Sequence, residues 1–293
     1  MLMIQMSGGL GNQMFTYALY RALEEAGKTV SIDDFTHYAD IGRNDLCLEQ
    51  VFPIHYRKGS RKEYMRLTDS SMTILQRVRR KLTGRKEILY KERDAISFEE
   101  EVFQNEDAYL EGYWQSQKYF VNVADQLRKE LVFDWGNFPV GAKALREEMS
   151  QGNSVSVHIR RGDYLNTKFA PIYGGICTDA YYQSAMEELR KRLGNCRFYL
   201  FTNDREWGKS MVKDDLQLVD CGDGEHAYVD LALMSCCKHN IIANSSFSWW
   251  GAWLNPNKDK LVTAPAKWLN TSMSQDIYAG LCNIKIDPDG LIM

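Results

Sequence analysis

The chain opens on a short apolar run, Leu2-Met3-Ile4-Gln5-Met6, followed at once by a glycine-rich turn, Ser7-Gly8-Gly9-Leu10-Gly11-Asn12-Gln13. Phe15, Ala18, Leu19, Ala22 and Leu23 then recur at helical spacing, and the pattern stops near Gly27. Val30-Ser31-Ile32 reads as the next strand, and a strand, loop, helix and strand in that order favour a parallel sheet. The second half repeats the alternation more plainly. Strands are expected at 155–159, 198–202, 216–219, 240–243 and 261–264. Helices are expected at 178–193, 228–237 and 246–254, with Thr178 as an N-cap and Asn255-Pro256 ending the last. Apolar strands alternating with helices are the chemistry of an α/β protein with a parallel sheet.

Two stretches break this rhythm. Residues 134–154 carry Asp134, Gly136, Pro139, Gly141 and Gly152 around one short helix, which places a domain boundary there and predicts domains at 1–140 and 150–293. Residues 57–93 hold thirteen Lys or Arg and four Asp or Glu in a chain whose net charge is −3. Within them Leu75, Val78 and Leu82 share a helical face opposite Arg77, Arg80 and Lys81, the pattern of a solvated helix docked on its domain. The alternative is a basic patch that meets an anionic membrane or an acidic glycan.

Composition narrows the class. Apolar content of 44% and charged content of 26% are globular values, and the net charge excludes a uniformly basic, nucleic-acid-coating protein. Seven cysteines, an odd number with no C-x-x-C spacing, fit a reduced compartment better than a disulfide framework or a zinc site. His158, His226 and His239 are not spaced as metal ligands either. No apolar run reaches the roughly 18–20 residues of a membrane span, and the N-terminus lacks the charged and apolar regions of a signal peptide, so a cytoplasmic protein is expected.

Ligands of open α/β sheets sit at the carboxyl ends of the strands. After Ile159 come Arg160-Arg161-Gly162-Asp163. Two adjacent guanidinium groups there either meet phosphate oxygens or hold a loop through carboxylates. After Ala243 come Asn244-Ser245-Ser246-Phe247, opening a helix whose free N–H groups and dipole form an anion site, beyond a plain N-cap. The two motifs together point to a diphosphate. Asn203-Asp204 reads mainly as a helix cap. The glycine loop at 8–11 lets a backbone approach a ligand closely, with Asn12 and Gln13 offering amides, or is only a turn. Asp287-Pro288-Asp289 is the one acidic pair resembling a nucleotide-sugar metal site, and it lies in a turn rather than after an apolar strand, so no metal is expected. Trp249, Trp250 and Trp253 follow helical spacing and read as core; Tyr113, Trp114, Tyr164 and Tyr173 are candidate sugar platforms.

These residues resemble a known family. Val157-His158-Ile159-Arg160-Arg161-Gly162-Asp163-Tyr164 looks like the H-x-R-R-x-D signature of α-1,2-, α-1,6- and protein O-fucosyltransferases. Asn244-Ser-Ser-Phe-Ser-Trp-Trp-Gly-Ala-Trp-Leu254, the opening at Gly8–Phe15 and Phe201-Thr-Asn-Asp204 resemble bacterial α-1,2-fucosyltransferases, glycosyltransferase family 11. The motifs run from residue 8 to 254, nearly the whole chain. The resemblance implies a GT-B architecture of two Rossmann-like domains facing a cleft, the N-terminal one on the acceptor side and the C-terminal one holding GDP-fucose. It implies transfer of L-fucose from GDP-β-L-fucose, with inversion and without metal, to O2 of a terminal galactose in a glycan. It places Arg160 on the donor phosphate, His158 on the nucleotide, Ser245, Ser246 and Phe247 in the phosphate loop, and Asp230, fifteen residues before Ser245, on guanine. Asn12 matches an asparagine near the leaving phosphate and acceptor. Asp163, in the signature loop, is the first choice for the base, against bracing an arginine or capping a turn. Other linkages, a GDP-sugar-binding protein without turnover, and a nucleotide-dependent enzyme using the glycine loop are the competing readings.

Overall fold

The computed structural model describes residues 1–41, 46–161, 169–221 and 227–293. It forms two compact units, Met1–Val132 and Phe133–Met293.

The first unit is built on four parallel strands, β1 (Leu2–Gln5), β2 (Val30–Asp33), β3 (Leu89–Lys91) and β4 (Ala108–Glu111), in the order β2-β1-β4-β3. The glycine loop after β1 leads into the helix Leu10–Glu25, which buries Phe15, Ala18, Leu19, Ala22 and Leu23 as their spacing predicts. Gly8 lies at φ +72, and a Cβ there would come within 2.5 Å of Asn12 Nδ2, so the position requires glycine twice over. Gly27, at φ +76, follows the end of the helix.

The second unit carries six parallel strands: β5 (Asn153–Ile159), β6 (Cys196–Thr202), β7 (Leu216–Leu218), β8 (His239–Ile241), β9 (Val262–Pro265) and β10 (Ile284–Ile286). Their spatial order is β10-β9-β8-β5-β6-β7. Counted from β5, that is the 3-2-1-4-5-6 order of a dinucleotide-type sheet read from its other edge. Both faces are covered, so the polar positions that alternate with the apolar ones of β5, Ser154, Ser156 and His158, are buried as well. Phe198 and Leu200 of β6 join Val155, Val157 and Ile159 against Tyr181, Ala185 and Leu189 of the helix Asp179–Leu193. Tyr199 and Phe201, the alternate positions, pack with Val229, Ala232 and Leu233 of the helix Ala227–Cys236. Trp249, Trp250 and Trp253 are fully buried within the helix Ser246–Leu254, as their spacing indicates.

Three features differ from the sequence reading. The breaker-rich stretch 134–154 lies inside the second unit, because its helix Val140–Ser150 buries Ala142 and Met149 in the Tyr199 cluster. Strands β3, β4 and β10 have three or four residues each, too short to show a period. The helix Ile74–Thr83 forms, but Leu75, Val78 and Leu82 do not dock: they are 83%, 53% and 79% exposed.

Candidate active site

In the second unit the strand order reverses between β5 and β8, which are paired in register from Val155 opposite His239 to Val157 opposite Ile241. A ligand crevice is expected outside the carboxyl ends of these two strands. Arg160-Arg161 leaves one of them, and Asn244-Ser245-Ser246-Phe247 leaves the other. The two motifs meet through the His158 and Phe247 rings, whose centroids are 5.8 Å apart. His158 is buried, and its Nδ1 has no hydrogen-bond partner among the described residues. Burial, reinforced by Arg160, lowers its pKa to about 3, so the imidazole is neutral and offers one donor and one acceptor.

Ser245 is the N-cap of the helix Ser246–Leu254, and its side chain makes no capping bond. Its carbonyl accepts the first helical bond from Trp249 N at 3.0 Å. The N–H groups of the first turn are therefore not engaged by the cap side chain and lie at the positive end of the helix dipole. Two adjacent tyrosines fix this edge. Tyr181 Oη donates to the Ile242 carbonyl at 2.6 Å, just past β8, and Tyr182 Oη donates to the His158 carbonyl of β5 at 3.0 Å.

The site residues divide into two groups. Arg161 is committed to its neighbours: its N–H donates to Asn203 Oδ1 at 2.8 Å, its Nε lies 3.3 Å from Asp204 Oδ2, and its guanidinium stacks 4.4 Å over Trp207. It takes the loop-holding role that a double arginine leaves open. Asp204 also caps its helix through Trp207 N, as expected. Asn244 is buried, with its Nδ2 donating to the carbonyls of Tyr173 and Trp268, both at 3.2 Å, so it braces the loop. Arg160 is half-buried at the end of β5. Asp230 stands in the first turn of the helix Ala227–Cys236, which packs in one cluster with Phe247. The residue is half-buried, yet its Oδ1 is enclosed without a partner among the described residues. Burial raises its pKa to about 6, opposed by Arg205 and assisted by Asp220. An orphaned, enclosed acceptor of this kind calls for a donor from a ligand or a bound water.

In the first unit the glycine loop and the segment after β4 leave adjacent strands. Gln115 Nε2 donates to Asn12 Oδ1 at 2.9 Å. Glu92 holds the same segment, accepting from the N–H groups of Tyr113 at 2.6 Å and Trp114 at 3.0 Å. Burial pushes its carboxyl up to about 8, against those two bonds. Trp114 sits at φ +57 and is wholly buried between Tyr90 and Tyr119, so it is not a sugar platform; Tyr113 remains 39% exposed. Gln13 is a clamp: its Nε2 donates to the Gly8 carbonyl, and its Oε1 accepts from Cys47 and Leu48. The pairing of Gln115 with Asn12 and the support from Glu92 had no signal in the sequence, since 103 and some twenty residues separate the partners. Asp163, Tyr164 and His226 lie outside the described residues.

Asp287 Oδ1 accepts from Asp289 N and Leu291 N, a closed turn. Among the described residues no three His, Cys, Asp or Glu are grouped to hold a metal, and no helix is long and apolar enough to cross a membrane.

The family model described as Glycosyl transferase family 11 matches residues 1–280. An alpha-1,2-colitosyltransferase of Escherichia coli is 31% identical over 278 residues, covering 90% of this chain and 91% of its own. A galactoside alpha-(1,2)-fucosyltransferase 1 of Saimiri boliviensis boliviensis is 29% identical over 157 residues, 50% of this chain and 42% of the relative. Among solved structures, the NodZ alpha-1,6-fucosyltransferase co-crystallised with GDP superposes with a TM-score of 0.52 at 13% identity, over 100% of this chain and 97% of that one. Likeness at that distance speaks to fold, and the fold is the GT-B type, with two parallel-sheet α/β units. With the motifs of both units inside the matched span, the chain belongs to glycosyl transferase family 11, a family of glycosyltransferases.

Proposed function

We propose that this chain transfers L-fucose from GDP-β-L-fucose to O2 of a terminal galactose in a glycan, with inversion and without a metal. The observation that supports the reading is that the segment carrying Arg160 and the helix start at Ser245, whose side chain makes no capping bond, leave the two strands of one order reversal and meet through His158 and Phe247. A diphosphate fits such a cradle. Arg160 and the N–H groups at Ser246 and Phe247 then face the charge that builds on the leaving phosphate as the glycosidic bond breaks, the role a divalent cation takes elsewhere. Neutral His158 lends a hydrogen bond to the nucleotide without adding charge, and Asp230 accepts from the guanine edge. Asn12, held by Gln115, serves the acceptor side of the reaction, and Asp163 takes the proton of the attacking hydroxyl. Arg161 and Asn244 keep the two loops in place rather than touching phosphate.

A second donor is favoured by one relative, whose name gives colitose. Colitose is fucose without its 3-hydroxyl, so both donors present the same diphosphate and guanine. The deciding experiment is GDP release with GDP-fucose and with GDP-colitose against a panel of galactosides, with and without EDTA, followed by linkage analysis. The reading expects faster release with GDP-fucose, an α-1,2 product and no loss on chelation. Turnover abolished by EDTA, a different linkage, or GDP bound without any turnover overturns it.

A further inference from the structure

The helix Ile74–Thr83 is mounted with its polar side against the protein. Arg79 pairs with the Asp69 carboxylate, and Arg80 donates to the carbonyls of Asp69 at 2.9 Å and Ser71 at 2.6 Å. The Lys86 N–H closes on the other Asp69 oxygen at 2.9 Å, tying the chain beyond the helix to the same residue. With these anchors in place, the opposite side turns outward. Ile74, Leu75, Val78 and Leu82 are 78%, 83%, 53% and 79% exposed, and Met72, just before the helix, is 72% exposed. At 3.6 residues per turn the four aliphatic side chains of the helix fall within an arc of about 100°. Arg77 and Lys81 border one side of that arc and Arg79 the other. A surface helix of a soluble domain turns such an arc into the core. This one, carrying no buried residue, turns it to the outside.

Charge identifies the occupant. The apolar arc lies in the segment 57–93, with thirteen Lys or Arg against four Asp or Glu, and Arg77, Lys81, Arg85 and Lys86 are all exposed. A second copy of the chain would bring the same positive charge against it. An acidic glycan would meet the cations but offers nothing to Leu75 and Leu82. We propose that Ile74–Thr83 is an interfacial helix that lies in the surface of an anionic phospholipid bilayer. Its leucines enter the acyl boundary and its flanking cations meet lipid phosphates. The proposal is independent of the sugar transferred, and vesicle binding needs neither donor nor acceptor, so the two readings fail separately.

The test is co-sedimentation of the full chain with phosphatidylcholine vesicles, with and without phosphatidylglycerol, at low and high salt. The native chain should partition onto the anionic vesicles and be released by salt. Leu75→Glu with Leu82→Glu should weaken partitioning by at least about a hundredfold, from the apolar burial lost. Arg77→Ser with Lys81→Ser should weaken it about 25-fold, from the charge near an anionic surface. Both pairs alter only exposed side chains, so the melting temperature and GDP release with a soluble galactoside should stay at native values. Absence of partitioning, equal binding to neutral vesicles, or a dimer that the leucine changes dissociate without altering vesicle binding would each overturn the proposal.

Discussion

Asp230→Asn should stabilise the nucleotide-free protein and weaken its grip on GDP. Burial raises the Asp230 carboxyl from 3.8 to about 6. The folded state therefore holds this proton more firmly than the unfolded chain. The stability it contributes is present below about pH 4 and is lost as the pH climbs through about 6. Across that window the change approaches about 3 kcal/mol. Asparagine keeps the shape and has no charge to desolvate, so at pH 7.5 the variant should gain up to about 3 kcal/mol, or roughly 6–12 °C in Tm for a unit of this size. At pH 4 the gain should vanish. Nucleotide binding should move the other way. Guanine offers its N1–H and 2-amino group as donors; a carboxylate accepts both, whereas an amide accepts one and opposes the other. One lost hydrogen bond to a charged group is worth about 1.5–3 kcal/mol, or about 10- to 150-fold in Kd. Scanning calorimetry at the two pH values reads the first arm. Titration with GDP and IDP reads the second, because IDP lacks the 2-amino group and the variant should no longer prefer GDP. A variant less stable than native at pH 7.5 that binds GDP with native affinity would refute the reasoning.

Arg160→Ala should lower kcat by about 10²–10³, as expected for a donor aimed at developing charge. Arg161→Ala should instead cost about 1 kcal/mol in stability, from the Asp204 pair and the Trp207 stack, while kcat stays within about tenfold of native; single-turnover kinetics and calorimetry on both variants check the contrast. Glu92→Gln bears on pH. With the native carboxyl pushed up to about 8, its contribution is present below about pH 4.5 and lost as the pH rises through 8. Urea unfolding should therefore show a decline between about pH 4.5 and 8 in the native protein that the variant lacks. At low pH the variant should lie within about 1 kcal/mol of native, since one amide oxygen can accept from both Tyr113 and Trp114, as Oε2 does in the native chain.

The second unit was legible because both faces of its sheet are covered. Phe198-Tyr-Leu-Phe201 of β6 reads as one apolar run, and the residues after β5 and β8 line up as chemistry from the sequence alone. What stayed hidden depends on partners far apart in the chain. Nothing local shows that Arg161 is committed to its neighbours; its partners Asp204 and Trp207 lie more than forty residues on. Trp114 looked like an exposed aromatic because an apolar residue beside Tyr113 carries no sign that its backbone adopts φ +57 and turns the ring inward. The amphipathic pattern of the helix Ile74–Thr83 is plain in its sequence. Its orientation is set by Asp69 and Ser71, which lie outside the periodic window.

Tyr181 and Tyr182 are neighbours on one helix, yet their hydroxyls reach the ends of two different strands, one on each side of the crevice. Loosening that helix releases a tether from both strand ends in the same event, so the ends of β5 and β8 are coupled through one element. In native-state hydrogen exchange the amides beside Ile242 and His158 should open with a shared free energy, as one cooperative block. A nucleotide seated across the two strand ends, as proposed, should then protect both amides together.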